Sequence, residues 1–409
     1  MTLTVLIVFA VVYAGMILGR LPRLQLDRTG VALLGGIVLL ATGALSVEEA
    51  QRAMDIPTLA LLFGLMVVSA QLRLGGFYAR VARALAALDL APGRLLGLIV
   101  LVVGALSAIF SNDVVCLAMA PVLIDACARR RLDPVPFLLA LACAANVGSA
   151  ATLIGNPQNM LIGQSLGLSF SGYLADAGLP SLLGLAATWA VIARQQGGRW
   201  EAPAAVGAPG RGADADDAPF NAWQTTKGLA VAAVLMLVFL VESWPREIVA
   251  LAGAGALLTS RKLHSRHMLG LVDWQLLVLF MGLFAVNHAM QQTPFPDRVV
   301  AALSGLGADP AQPGWLFTLA VLLSNLVSNV PAVMLLLPLA THPLAGPILA
   351  LASTLAGNLL IVGSIANIIV VDAAARQRIT IDWRRHARTG VPVTLLTLVL
   401  AGLLLWLRA

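Results

Sequence analysis

The sequence predicts an all-α polytopic membrane protein with about 11 transmembrane helices plus two hairpins, built as an inverted-topology repeat with broken helices. Three observations predict it. First, 59% of the 409 residues are hydrophobic, only 11% are charged, and the mean hydropathy is +0.89; a soluble domain carries about 25% charged residues. Second, the apolar residues form long unbroken runs, unlike the short alternating segments of a membrane β-barrel. Third, several runs are interrupted at matched places by Ser-Asn or Gly-Asn-Pro. The same composition excludes disorder, collagen and coiled coil.

In chain order, apolar segments lie near 2–19, 30–46 and 56–72. The first has neither a basic leader nor a cleavage signal and reads as a retained span. The segments 95–110 and 114–128 are about 24 and 22 Å long as helices, short against a core of about 30 Å. Only Ser111-Asn112-Asp113 separates them, so they read as a hairpin. The run 136–168 is broken by Gly155-Asn156-Pro157, and 174–193 completes the first half. After 226–242, 247–260 and 273–290, the pair 313–327 and 331–341 repeats the hairpin around Ser328-Asn329-Val330. The run 345–371 is broken near Gly363, and 390–407 ends the chain.

Loop charge orients these segments. With each hairpin returning to its own side and each broken run counted as one span, 22 of the 26 basic residues fall on one side. Only Arg52, Arg246, Arg298 and Arg408 fall on the other. The basic side is cytoplasmic by the positive-inside rule, which places both termini outside a bacterial inner membrane. The net charge of +6 is thus a matter of topology, and no nucleic-acid partner follows from it.

The two halves repeat. Asp55 to Leu65 matches Asp273 to Leu283, Ser111-Asn112 matches Ser328-Asn329, and Gly155 to Asn159 matches Gly363 to Asn367. By loop charge the two blocks run in opposite directions, as in secondary transporters with a site near the midplane. This divides the chain into an N-terminal half (1–194, with hairpin 95–128 and broken helix 136–168), a linker (195–225) on the cytoplasmic side, and a C-terminal half (226–409, with hairpin 313–341 and broken helix 345–371).

Nine of the ten asparagines lie within or at the breaks of apolar segments. A buried amide without a partner costs several kcal/mol, so this clustering calls for a polar cavity. Pro157 and Gly155 interrupt helix and free backbone carbonyls, which survive at membrane depth only beside protein or water. Such carbonyls with Asn156 and Asn159 suit a hard cation, and helix N-termini beginning after Asn112 and Asn329 suit an anion. Asp113 reads either as a proton or cation carrier or as a helix N-cap. Asn287, Asn325 and His288 read as interhelical glue. Asp125 and Asp372 read as interfacial, and His264, His267, His342 and His386 as loop residues. Cys116, Cys127 and Cys143 have no metal-ligand spacing and read as packing.

The candidate substrate- and ion-binding residues are Ser111, Asn112, Asp113, Asn146, Gly148, Thr152, Gly155, Asn156, Asn159, Ser328, Asn329, Thr354, Asn358, Gly363, Ser364 and Asn367. Na⁺ would sit among Ser111, Asn112, Asn156, Ser328 and Asn329. No cofactor is expected beyond Na⁺ or H⁺ as coupling ion.

The motifs Ser111-Asn112-Asp113, Ala145 to Asn159, Ser328 to Pro331 and Gly363 to Asn367 resemble the ion transporter superfamily. That group holds divalent-anion/sodium symporters, citrate transporters, arsenite permeases and NhaD-type antiporters, and the resemblance spans about residues 25–405. It implies a scaffold and a transport domain, ion-holding tips and breaks, elevator-like movement, and a homodimer. In the symporters both tips read Ser-Asn-Thr. Here Asp113 and Val330 replace the threonines, which points away from dicarboxylates and toward the arsenite and sodium–proton branches. Against the antiporters, the first break carries a neutral amide where they tend to have an acid.

The expected function is secondary active transport of a small anion (a carboxylate, an inorganic oxyanion, or its neutral acid) coupled to Na⁺ or H⁺. The alternatives are Na⁺/H⁺ antiport or arsenite efflux, and more remotely a channel or an intramembrane enzyme. No Walker motif is present, so ATP is not expected to drive transport without another subunit, and no H-E-x-x-H, G-x-S-x-G or paired aspartates on facing spans is present, so an enzyme is not expected. The expected partners are the lipid bilayer and the small anionic solute.

Overall fold

The computed structural model describes residues 1–19, 24–201, 220–241, 244–260 and 262–408. The regular structure of the described residues is helical, and an isolated bridge pairs Leu132 with Glu201. In chain order the α-helices are α1 (Thr2–Leu18), α2 (Arg28–Ala41), α3 (Val47–Ala53), α4 (Ile56–Leu74) and α5 (Phe77–Ala86). Then come α6 (Pro92–Ile109), α7 (Asn112–Arg129), α8 (Pro134–Ser149), α9 (Pro157–Ser165) and α10 (Phe170–Gln196). The second half holds α11 (Ala222–Val241), α12 (Arg246–Leu258), α13 (Ser265–Leu269), α14 (Trp274–Gln291) and α15 (Phe295–Gly305). It ends with α16 (Pro313–Val327), α17 (Asn329–Leu336), α18 (Ala345–Ala356), α19 (Ile365–Arg376) and α20 (Trp383–Trp406).

Six helices (α4, α6, α10, α11, α14 and α20) are long and apolar enough to cross a membrane alone. The hairpins are α6–α7 and α16–α17, and the broken helices are α8–α9 and α18–α19, as the interruptions predict. Among the described residues, with each broken pair counted once and the short α3, α5, α13 and α15 set aside, the helices group into ten units and two hairpins, against the about 11 spans expected.

Local sequence explains the helix starts. Asp27, Asp55, Asp133, Asn156, Ser169, Asp273 and Asp382 cap their helices by accepting a first-turn N–H. Proline opens α4, α6, α8, α9, α15 and α16, where its missing N–H costs nothing. Ser46 and Glu49 form a capping box on α3. The stretches between spans, read as loops, contain the short helices α3, α5, α13 and α15. In α5 the residues Tyr78, Ala79, Ala82 and Leu85 are buried while Arg80 and Arg83 face outward. That stripe is too short for hydropathy to register. The linker's ends are helical in α10 and α11, and its middle (202–219) lies outside the described residues.

The halves interleave. Gly64 of α4 lies against the backbone of Ala250 in α12, and Gly282 of α14 lies against the backbone of Ala32 in α2. Both pairs are related by the same offset of 218 residues, so they are one contact used twice. These helices, with α1 and α11, make a scaffold. The other bundle holds the hairpins, the broken helices, α10 and α20, with α10 packed along α20. At its centre, every residue of α8 and α18 is buried. The outer faces expose Leu33, Ile37, Leu237, Leu395 and Val399, the apolar surface a bilayer covers.

Candidate functional site

The first break spans residues 150–156. Asn156 caps α9 by accepting from the Asn159 N–H at 2.9 Å. Asn159 then turns its amide nitrogen to Ser149 O (3.3 Å), Thr152 O (2.9 Å) and Tyr173 Oη (3.2 Å). It thereby satisfies carbonyls that the end of α8 leaves free. Tyr173 donates to Ala150 O at 2.7 Å, closing the loop. The second break repeats the device. Asn367 donates to Gly357 O (2.8 Å) and Leu360 O (3.1 Å), so Asn159 and Asn367 do the same work in the two repeats.

The hairpin tips dock on these breaks. The Asn112 backbone N–H donates to Gly155 O at 3.3 Å, and its side-chain oxygen accepts from the Asp113 N–H at 3.0 Å. Asn329, with its amide nitrogen turned inward, donates to Gly363 O (3.3 Å) and Ser353 O (3.1 Å). Thr152 ties the first break to its hairpin by donating to Ala108 O. The half-buried Asp113 carboxylate has no hydrogen-bond or ion-pair partner among the described residues.

The two repeats meet through Asn146 and Thr354. Asn146 accepts from Asn112 Nδ2 (3.2 Å) and Ser364 Oγ (2.8 Å), and donates to Asn358 Oδ1 (2.8 Å) and Asn367 Oδ1 (3.2 Å). Thr354 accepts from Asn156 Nδ2 (3.3 Å) and Gln158 Nε2 (3.0 Å), and donates to Asn159 Oδ1 (3.4 Å). Asn112, Asn146, Asn358, Ser364 and Asn367 form one cluster and Asn156, Asn159 and Thr354 another, and Ser149 joins them into one buried network by accepting from Asn156 Nδ2 (3.0 Å) and donating to Asn146 O (2.9 Å). Ser111 and Ser328 are partly buried beside it. Gly148 does not line the network; the Gly104 backbone fills the place of its missing side chain. Of the five residues expected around Na⁺, Asn156 has its oxygen engaged as a helix cap.

Four helices start here (α7, α9, α17, α19) and four end here (α6, α8, α16, α18). Half-charges of both signs therefore face one volume. No hydrogen bond of the network involves lysine or arginine. Among the described residues no group of three His, Cys, Asp or Glu side chains is placed to hold a metal.

Several residues were not singled out in the sequence. Gln158 and Tyr173 belong to the network. Ser107 and Ser324 hold equivalent positions one turn before the two tips, fully buried, each hydroxyl without a partner. Their offset of 217 matches that of the tips, which is the signal that would have found them. His386, read as a loop residue, is buried in α20 with Nε2 3.1 Å from Asn358 O. Its arginine neighbours disguise a helix start capped by Asp382. His267 likewise lies in the short helix α13. Asn287 is glue as expected, accepting from Tyr13 Oη at 2.8 Å. Asn325 donates to Val321 O of its own helix, leaving its side-chain oxygen buried without a partner near Gly363. Asp372 is exposed and paired with Arg376.

Comparison with known proteins agrees with this architecture. The citrate transporter family model matches residues 4–347. An uncharacterized transporter of Mycobacterium tuberculosis is 29% identical, covering 94% of this chain and 94% of its own length. The silicon efflux transporter LSI3 of Oryza sativa subsp. japonica is 28% identical over 95% of this chain and 94% of its own. The inner membrane protein YbiR of Escherichia coli is 33% identical over 82% and 83%. The crystal structure of the YdaH transporter from Alcanivorax borkumensis superposes with a TM-score of 0.58, at 14% identity, over 99% of this chain and 97% of that one. The chain is a multi-pass membrane transporter and belongs to the citrate transporter family.

Proposed function

We propose that this chain is a secondary active transporter of a small anion, a carboxylate or inorganic oxyanion or its neutral acid, driven by Na⁺ or H⁺ through elevator-like movement. The observation that carries the reading is the single buried amide network into which two oppositely directed repeats bring both tips and both breaks. Inverted repeats with interrupted helices meeting at one polar centre are the architecture of alternating access. In this reading the starts of α7 and α17 receive the negative oxygens of the solute. Amides and freed carbonyls receive its hydroxyls or a hard cation. Ser111, Asn112, Asn156, Ser328 and Asn329 are the proposed Na⁺ neighbourhood. Asp113, the carboxylate at a tip, is the coupling group. The charge bias of the loops supports an inner-membrane location with both termini outside.

The test is flux in proteoliposomes under imposed Na⁺ or proton gradients across a panel of oxyanions and carboxylates. Asp113→Asn should abolish gradient-driven flux while the protein remains monodisperse and binds solute. Undiminished flux with the same ion dependence refutes the coupling role. The lack of lysine and arginine in the network favours a second reading, export of an undissociated weak acid, which the silicon efflux relative also suggests. The two readings separate on pH. At fixed total concentration, flux of an undissociated acid falls as pH rises through the solute's own pKa, whereas flux of its anion rises.

A further inference from the structure

Each repeat carries the same contact zone between the scaffold and the end of a half-helix, and only one of the two is closed. In the first repeat Arg246 Nη2 donates to Gly163 O (2.9 Å), Gln164 Nε2 to Glu247 Oε2 (3.1 Å), and Ser165 Oγ to Asp55 Oδ2 (3.4 Å). These bonds tie the last turn of α9 to the first turn of α12 and the cap of α4. The arginine joins the Leu168 N–H on the Gly163 carbonyl in the last turn of α9 and complements the negative pole of that helix end.

The offsets that relate the repeats give the counterparts. Gly163, Gln164 and Ser165 correspond to Val371, Asp372 and Ala373 of α19; Arg246 and Glu247 correspond to Arg28 and Thr29; Asp55 corresponds to Asp273. Asp55 and Asp273 even share their backbone angles, φ −80 and ψ 81 against φ −78 and ψ 80. Yet among the described residues the second set does not meet. Arg28 Nε donates to Met16 O (3.2 Å), and Thr29 Oγ1 to Gln275 O (3.4 Å). Asp372 pairs with Arg376 at 2.8 Å, its side chain 57% exposed. The helices themselves differ in the same sense, since α9 packs on α4 whereas α19 packs on α7 and α8.

We infer that these zones are two alternating latches, and that closing one requires opening the other. The inference rests on the alternating-access reading above and adds the residues that hold each end state. When the bundle moves so that α19 reaches the scaffold, Arg28 turns from Met16 O to Val371 O. Asp372 exchanges Arg376 for Thr29 and Arg28. The bonds of Arg246, Gln164 and Ser165 then break. Ala373 has no hydroxyl for Asp273, so the second latch makes fewer bonds than the first. By the distribution of basic residues the latch closed here is the outer one, so this structure is sealed toward the outside.

Cross-linking of the full chain in proteoliposomes tests this, with native Cys116, Cys127 and Cys143 replaced by alanine. One variant carries Gln164→Cys with Glu247→Cys, a second carries Thr29→Cys with Asp372→Cys, and a third carries all four. With a short bifunctional maleimide, each pair should link, and molecules of the third variant should acquire either link but never both, read by mass spectrometry. Doubly linked molecules, or a Thr29/Asp372 pair that never links, overturn the inference. A separate variant, Asp372→Ala at an exposed position, should raise the yield of the outer link; an unchanged yield counts against it. None of these readouts needs substrate. Exclusive links without flux of any tested anion or acid would therefore uphold the latches while refuting the proposed solute class.

Discussion

Asn146 donates to Asn367 across the junction of the repeats at 3.2 Å, though 221 positions separate them in sequence. Its counterpart at the offset of 208, Thr354, makes the mirror-related contact to Asn159. Each half thus braces the break of the other, and neither break is complete within its own repeat. Asn146→Ala removes the shared partner of Asn112, Asn358, Ser364 and Asn367. Each buried polar group left unsatisfied costs about 1–3 kcal/mol. A fall in thermal unfolding temperature in detergent is expected together with loss of flux. Thr354→Ser keeps the hydroxyl and should lose little, whereas Thr354→Val should behave like Asn146→Ala. Equal stability of the serine and valine variants would show that the hydroxyl bonds are idle.

The crossing of α6 with α8 sets how closely the first hairpin lies on its broken helix. Gly148 faces the backbone of Gly104, and no flexible side chain there can yield. Gly148→Ala forces the helices apart, and overpacking of this kind typically costs about 1–3 kcal/mol. Gly255 of α12 meets nothing within reach, so Gly255→Ala should be neutral or slightly stabilising through helix propensity. A comparison of the two unfolding temperatures checks the assignment, and equal losses would refute it.

Much of this arrangement is legible in the residues. Ser-Asn between two short apolar runs marks a hairpin tip, and Gly-Asn-Pro inside a run marks a broken helix, because the backbone chemistry at those points is local. Partnership is not local. Nothing near Asn146 names Asn367, and a serine such as Ser107 inside an apolar run reads as packing until its repeat partner Ser324 is seen in the same state. The amphipathic helices α5 and α15 escape hydropathy because they are short and half polar. His386 escapes because Arg384, Arg385 and Arg388 around it suggest a solvated loop.

The cap of α3 gives the chain one acid-sensitive element outside the spans. Glu49 accepts from the Ser46 N–H at 2.8 Å, and this bond holds its carboxyl below the usual carboxylate range. A group whose folded pKa is depressed stabilises the folded form above its unfolded pKa and loses that contribution as pH falls. The end of α3 should therefore fray on acidification through the carboxylate range, seen as faster amide exchange at residues 47–50. Glu49→Gln should remove the pH dependence of that exchange. The same acid response in the glutamine variant would trace the fraying to another group.

The two tips differ in backbone strain, although both begin Ser-Asn. Ser328 adopts φ +78 and ψ 160, a region essentially reserved for glycine, whereas Ser111 lies at an ordinary φ −55 and ψ 126. Non-glycine residues held in such regions cost about 1–3 kcal/mol and cluster where function over-determines the backbone. Ser328→Gly should therefore raise the unfolding temperature. Ser111→Gly should lower it, because glycine there adds only unfolded-state entropy, about 0.5–1 kcal/mol. If the strain serves to hold the second tip against Asn329 and Gly363, Ser328→Gly should also reduce flux despite its greater stability. A glycine variant that is both more stable and fully active would show that the strain has no part in transport, and a change of the same sign at both serines would show that the strain is absent in solution.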